Sequence, residues 1–115
     1  MTIRRLKTYA GSQGYVYQYY FVGQRPSASG DAEDYVFDAS SDRKTTFPVT
    51  VSLPKSVVAG WNQKHGRALT SAEQYAAVKM RLFRAFDETD LTRPEWSLRL
   101  EAGFLEESLQ SLGVE

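Results

Sequence analysis

Residues 70–88 read TSAEQYAAVKMRLFRAFDE, and the periodicity of this stretch decides the fold. At about 100° per residue, Ala72, Tyr75, Ala76, Val78, Leu82, Phe83 and Phe86 share one arc. Glu73, Gln74, Arg81, Arg84, Asp87 and Glu88 fall largely outside it. The pattern predicts an amphipathic helix laid against a core. Thr70 and Glu73 have the spacing of a capping box, in which the hydroxyl accepts from an orphan amide and the carboxylate reaches back to the cap. Lys79 interrupts the apolar arc, between Phe86 and Ala72 on the wheel. Desolvation there would depress its pKa and make it a candidate base or imine-forming nucleophile. The preferred alternative is a stem packed along the core, with the ammonium at the surface or against a carboxylate or tyrosine hydroxyl.

Upstream, the pattern changes from helical to alternating. Residues 4–9 form a weak first strand, and the glycines Gly11 and Gly14 bracket a turn. Residues 15–22, YVYQYYFV, suit a pleated surface, with Tyr15, Tyr17, Tyr19 and Phe21 on one face and Val16, Gln18, Tyr20 and Val22 on the other. Bulky side chains on both faces predict a central strand covered at least in part on each side. GQRPSASGDAE, 23–33, reads as an exposed, mobile connection. Strand character returns over 34–39, and after a polar turn Phe47, Val49, Val51 and Leu53 alternate with Pro48, Thr50 and Ser52. Pro48 has no amide for a ladder, which predicts a sheet edge or one-sided pairing near the strand's start. Pro54, in the first turn, and Gly66, past the end, punctuate a shorter helix with Val57, Val58 and Trp61 as its apolar stripe and His65 as its last residue.

The tail supports two readings. Trp96, Leu98, Leu100 and Ala102 alternate as in a strand, while Leu98, Ala102, Leu105, Leu109 and Leu112 also make a helical seam. A short extended segment over 96–100 followed by a helix over 104–112 reconciles them. Together these elements predict one α+β domain over 1–115: an antiparallel meander of three or four strands, then two or three helices packed mainly on one face.

Composition narrows the function classes. The 14 basic and 14 acidic residues cancel, so no global field draws the chain to nucleic acid or to an anionic membrane. With no cysteine, disulfides, thiol nucleophiles and thiolate metal sites are excluded. No stretch approaches the roughly 20 apolar residues of a membrane helix, and a cytoplasmic protein is the default expectation. His65 is the only histidine, and its place at a helix C-terminus, where positive charge complements the dipole, is a sufficient structural role. The carboxylates Glu33 with Asp34, Asp87 with Glu88 and Asp90, and Glu106 with Glu107 form no recognisable catalytic spacing. No dinucleotide, phosphate-loop, zinc-protease or calcium-loop motif occurs, so no cofactor, metal or catalytic residue is assigned and the expectation leans away from an enzyme.

Residues 48–80, PVTVSLPKSVVAGWNQKHGRALTSAEQYAAVKM, resemble a ribbon-helix-helix DNA-binding unit: a strand, a proline, a short helix, a glycine-containing turn and a second helix. The resemblance implies a strand paired across a dimer with Thr50 and Ser52 facing the major groove. Neither is a base-reading Arg, Lys, Asn or Gln, and the preceding strands offer this one a partner within the chain. A second nucleic-acid reading places Tyr15, Tyr17 and Tyr19 as base-stacking rings beside Arg4, Arg5 and Lys7; the alternative buries them beneath the long helix. The leading expectation is a non-enzymatic protein-interaction or self-associating module. Its dimer would bury Phe104, Leu105, Leu109 and Leu112 and whatever part of the aromatic sheet the helices leave open.

Overall fold

The computed structural model describes residues 6–11, 16–42, 44–88 and 96–114. Their elements run β1 (Lys7–Ala10), β2 (Val16–Pro26), β3 (Ala32–Ser40), β4 (Phe47–Pro54), α1 (Lys55–His65), α2 (Ser71–Glu88), β5 (Trp96–Arg99) and α3 (Ala102–Ser111). The strands form one five-stranded sheet in the order β1-β2-β3-β4-β5. β1 to β4 are an antiparallel meander, and β5 pairs with β4 in parallel. The α+β class, the meander and the helices packed on it are as expected. The fifth strand lies where the tail was read as extended, and α1 and α2 supply the long crossover that a parallel neighbour requires. The ladder continues past β5, since Leu100 donates its amide to the Ser52 carbonyl at 2.9 Å.

Cross-strand register fixes which side chains share a face. Tyr17, Tyr19, Phe37, Tyr35, Val49, Val51, Leu53 and Leu98 are buried on one face beneath Trp61 of α1, Val78, Leu82 and Phe86 of α2, and Leu105 and Leu109 of α3. The core is therefore a single layer between sheet and helices. Among the described residues no helix covers the other face, where Val16 is 44% and Val22 37% exposed. The expectation that β2 is covered on both sides is thus corrected. All three helices of the described residues pack on the one face of the five-stranded sheet.

Two further corrections concern strand extent. β2 runs on to Pro26 through a bulge between Phe21 and Gly23, because its backbone keeps pairing with β3 as far as Pro26 opposite Glu33, although the side chains are polar. Only 27–31 make the connection, closed by hydrogen bonds from the Ser27 amide to Ala32 and from the Gly30 amide to Ser27, with Gly30 at φ 78°. β4 lies inside the sheet rather than at its edge. Among the described residues pairing with β5 begins at Val49, and Pro48 pairs with Asp38 of β3, in keeping with the other expectation, one-sided pairing near the strand's start. With β3 on one side and β5 on the other, β4 has no free edge for a ribbon shared between two chains. That removes the dimeric strand pairing which the ribbon-helix-helix resemblance implies.

Local signals explain the helix boundaries. α1 ends at Gly66 in the left-handed region (φ 70°), whose amide bonds the Asn62 carbonyl at 2.9 Å. Pro54 is the last residue of β4 and the N-cap of α1 rather than part of its first turn. The capping box of α2 closes in both directions: the Glu73 amide donates to Thr70 Oγ1 at 3.1 Å, and the Thr70 amide donates to Glu73 Oε1 at 2.9 Å. Arg67 adds two bonds to the Glu73 carboxylate, at 3.0 and 2.9 Å. First the Arg67 guanidinium and then the Thr70 amide hold that carboxyl at about 2, against an ordinary 4.5. The unfolded chain thus takes up a proton at higher pH than the folded one. The stability Glu73 adds is complete above pH 4.5 and is lost as the pH falls towards 2. Glu73→Gln is expected to flatten the fall of the urea midpoint across that window. Thr70→Ala should cost about 1 kcal/mol at neutral pH, read from the same urea curves.

Candidate functional site

Two places on the molecule combine accessibility with chemistry. The first is a lysine shelf at the β1 side of α2. Lys7 stands opposite Tyr19 in the β1–β2 register, so its side chain leaves the sheet on the helix-covered face at the rim of the core. Tyr19 meets Phe83 of α2 edge-on at 5.6 Å, and the Lys79 ammonium lies 5.8 Å from the ring centroids of both Tyr75 and Phe83. Lys79 is therefore half-buried between two aromatic faces, one helical turn from each. Burial, and next the Lys7 ammonium beside it, lower its pKa below the ordinary lysine range. Neither lysine has a carboxylate within ion-pair distance among the described residues. Of the alternatives in the sequence reading, an ammonium at the surface or against a carboxylate or tyrosine hydroxyl, the half-buried Lys79 fits the first: its ammonium lies at the rim of the core, over two rings and beside a second cation. A cavity of 200 Å³ adjoins, lined by Lys7, Tyr19, Tyr20, Phe21 and Tyr75. Burial keeps the Tyr19 and Tyr75 phenols above the usual tyrosine range, so both remain hydrogen-bond donors at neutral pH.

The second place is the uncovered sheet face. Tyr20 stands opposite Asp38 and donates to its Oδ2 at 2.8 Å; Arg25 stands opposite Asp34, which accepts from Ser52 at 2.5 Å. Between these rows lie Val22, the extra residue of the bulge, and Val36 opposite Gly23. The result is a strip along the β2–β3 seam with a valine centre and polar ends.

The other candidate residues separate. Tyr17 and Tyr19 are 1% and 4% exposed; Tyr17 stacks on Phe86 at 4.3 Å. Neither can accept a base from solvent, because α2 occupies the face on which stacking would occur. Tyr15 lies outside the described residues. Leu105 and Leu109 of the tail are 1% and 0% exposed within the monomer, so they are core and not an association surface. Phe104 is half-buried beneath the Arg84 guanidinium at 5.2 Å, and Leu112 alone of the four is exposed, at 45%. His65 stacks on Trp61 at 4.2 Å and bonds Glu106 of α3 through Nε2 at 2.7 Å, which ties α1 to α3. A groove of 720 Å³ between those helices is lined by Val57, Gly60, Trp61, Gly103 and Leu105 among others. No cluster of three or more His, Asp or Glu side chains placed for a metal occurs among the described residues. No helix among them is long and apolar enough to cross a membrane.

Comparison of the chain with protein-family models, with curated proteins and with solved structures finds no match. Periodicity identified Lys79, but not Lys7 as its neighbour. That contact joins β1 to α2 across 72 residues of chain (79 − 7), and no local pattern encodes it.

Proposed function

We propose that the chain is a non-enzymatic interaction module that self-associates through its uncovered sheet face. The observation that carries this reading is the arrangement of opposite partners across the β2–β3 seam. A two-fold axis along that seam sets each Arg25 against the partner copy's Asp34 position and each Val22 against its Val36 position. The rows are then self-complementary, as an isologous contact requires. Two sheets packed this way lie nearly aligned, with the valines forming the dry centre and the charged pairs the rim. The tail, with Leu105 and Leu109 in the core, is replaced by the sheet as the association surface.

Sedimentation velocity between about 1 and 100 µM is expected to show a species of twice the chain's mass, in a range typical of modest interfaces. Val36→Lys should yield the monomer at all these concentrations. Arg25→Asp and Asp34→Arg should each weaken association, and their combination should restore it, since the exchanged charges still face each other across the axis. A wild-type monomer throughout, or a double variant no better than either single one, overturns the proposal.

A further inference from the structure

The lysine shelf shares only Tyr20 with the self-association strip and has a chemistry of its own. Lys7 of β1 lines a 200 Å³ cavity together with Tyr75 of α2, and the Lys79 ammonium, 5.8 Å from the centre of that Tyr75 ring, stands beside Lys7 from a distant part of the chain. Their repulsion is not relieved by any carboxylate among the described residues. Instead the ring faces of Tyr75 and Phe83 flank Lys79, and cation–π attraction offsets only part of the cost of holding that charge out of water. Charged or titratable groups lining the cavity or facing Lys79 are Lys7 from β1, Tyr19 and Tyr20 from β2, and Tyr75 and Lys79 from α2, the Tyr20 hydroxyl being donated to Asp38. Every one is a cation or a hydroxyl donor at neutral pH, so the site offers donors and positive charge with no acceptor of opposite sign.

We propose that Lys7 and Lys79 bind the dianionic head of a small phosphate monoester, whose apolar or aromatic body lies against Tyr75 and Phe83. A dianion neutralises both ammonium groups at once, whereas a monoanion such as a carboxylate leaves one positive charge uncompensated in a half-buried setting. Lysine suits this role, because its compact ammonium approaches a tetrahedral oxyanion as a point charge without the planar fork of arginine. The cavity beside Lys7 gives the head group room, and Tyr19 and Tyr75 are among the residues that line it. The half-buried rings provide the apolar contact that inorganic phosphate alone would not use.

The test is titration of the full chain, carrying carbon-13 at lysine Cε, with phenyl phosphate, inorganic phosphate and benzoate, followed by NMR. The Lys7 and Lys79 signals are expected to shift together and saturate. Phenyl phosphate should bind more tightly than inorganic phosphate, and benzoate the least tightly. Bound dianion stabilises the Lys79 ammonium, so its deprotonation should move to higher pH in the complex. Lys7→Met and Lys79→Met should each weaken phenyl phosphate binding about ten- to hundredfold, and Lys79→Arg should retain most of it. Circular dichroism of each variant checks that the fold is kept. The proposal is overturned by the absence of saturable shifts up to about 10 mM phenyl phosphate. Shifts of equal size with benzoate, or equal losses in Lys79→Met and Lys79→Arg, would also overturn it.

Discussion

Phe86→Ala is expected to lower the free energy of unfolding by about 3 to 5 kcal/mol, the largest effect of any single truncation considered for this chain. Phe86 is 0% exposed and sits where the sheet and α2 meet. Its ring stacks on Tyr17 at 4.3 Å, tilts against Tyr9 at 5.8 Å and lies 6.0 Å from Tyr19, so its removal leaves three aromatic neighbours without a common partner. Those neighbours are anchored on β1 and β2 and cannot collapse into the space, which puts the cost at the upper part of the range. Against a typical total of about 5 to 15 kcal/mol, such a loss takes a large share of the stability. Phe83 provides the contrast. It lies one turn towards the solvent side, half-buried, stacked on Tyr9 at 4.5 Å with an interplanar angle of 1°. Phe83→Ala should therefore cost only about 1 to 2 kcal/mol, since part of that surface is wet already. Urea midpoints of the two variants decide the matter: equal shifts would mean that the buried side of α2 has been misplaced.

Leu109→Ala is the second large effect, at about 2 to 5 kcal/mol. Leu109 is fully buried in α3, and its carbonyl accepts from the amides of Leu112 and Val114 where the helix ends. Truncating the side chain opens a void beneath α3. Leu112, on the same helical seam in sequence, is 45% exposed, and Leu112→Ala should shift the urea midpoint hardly at all. The pair also separates the two roles considered for the tail. If the tail were an association surface, Leu109→Ala would change the mass in solution and spare the monomer's stability. A core role predicts the reverse, with loss of stability at every protein concentration.

Local patterns determined much of this fold, because they act within a few residues. The α2 boundary follows from Thr70 and Glu73, whose side chains satisfy backbone amides in their own turn. The end of α1 follows from Gly66, which takes the left-handed conformation at no steric cost. Alternation from Phe47 to Leu53 determined which face of β4 is buried, since a strand's period is two. Helical periodicity located the apolar side of α2 only to within about a residue's rotation. Ala77 and Ala85 are buried where Ala72 and Ala76 were expected, because the packing partners on the sheet set the helix's rotation.

Tertiary structure alone decided the rest. Whether 96–99 is strand or helix was balanced locally, and the parallel edge of β4 settled it by offering hydrogen-bond partners that a free helix would have left unused. The extension of β2 to Pro26 was hidden because backbone pairing, not side-chain pattern, holds polar residues in a ladder. Which face of β2 is open depended on how many helices the chain possesses and where they pack, a property of the whole domain. The lysine shelf was half visible: Lys79 stood out against its helical neighbours, but Lys7 reaches it only because the β1–β2 hairpin carries it to α2. Charges separated by most of the chain become neighbours through topology, and no spacing rule in a sequence records that proximity.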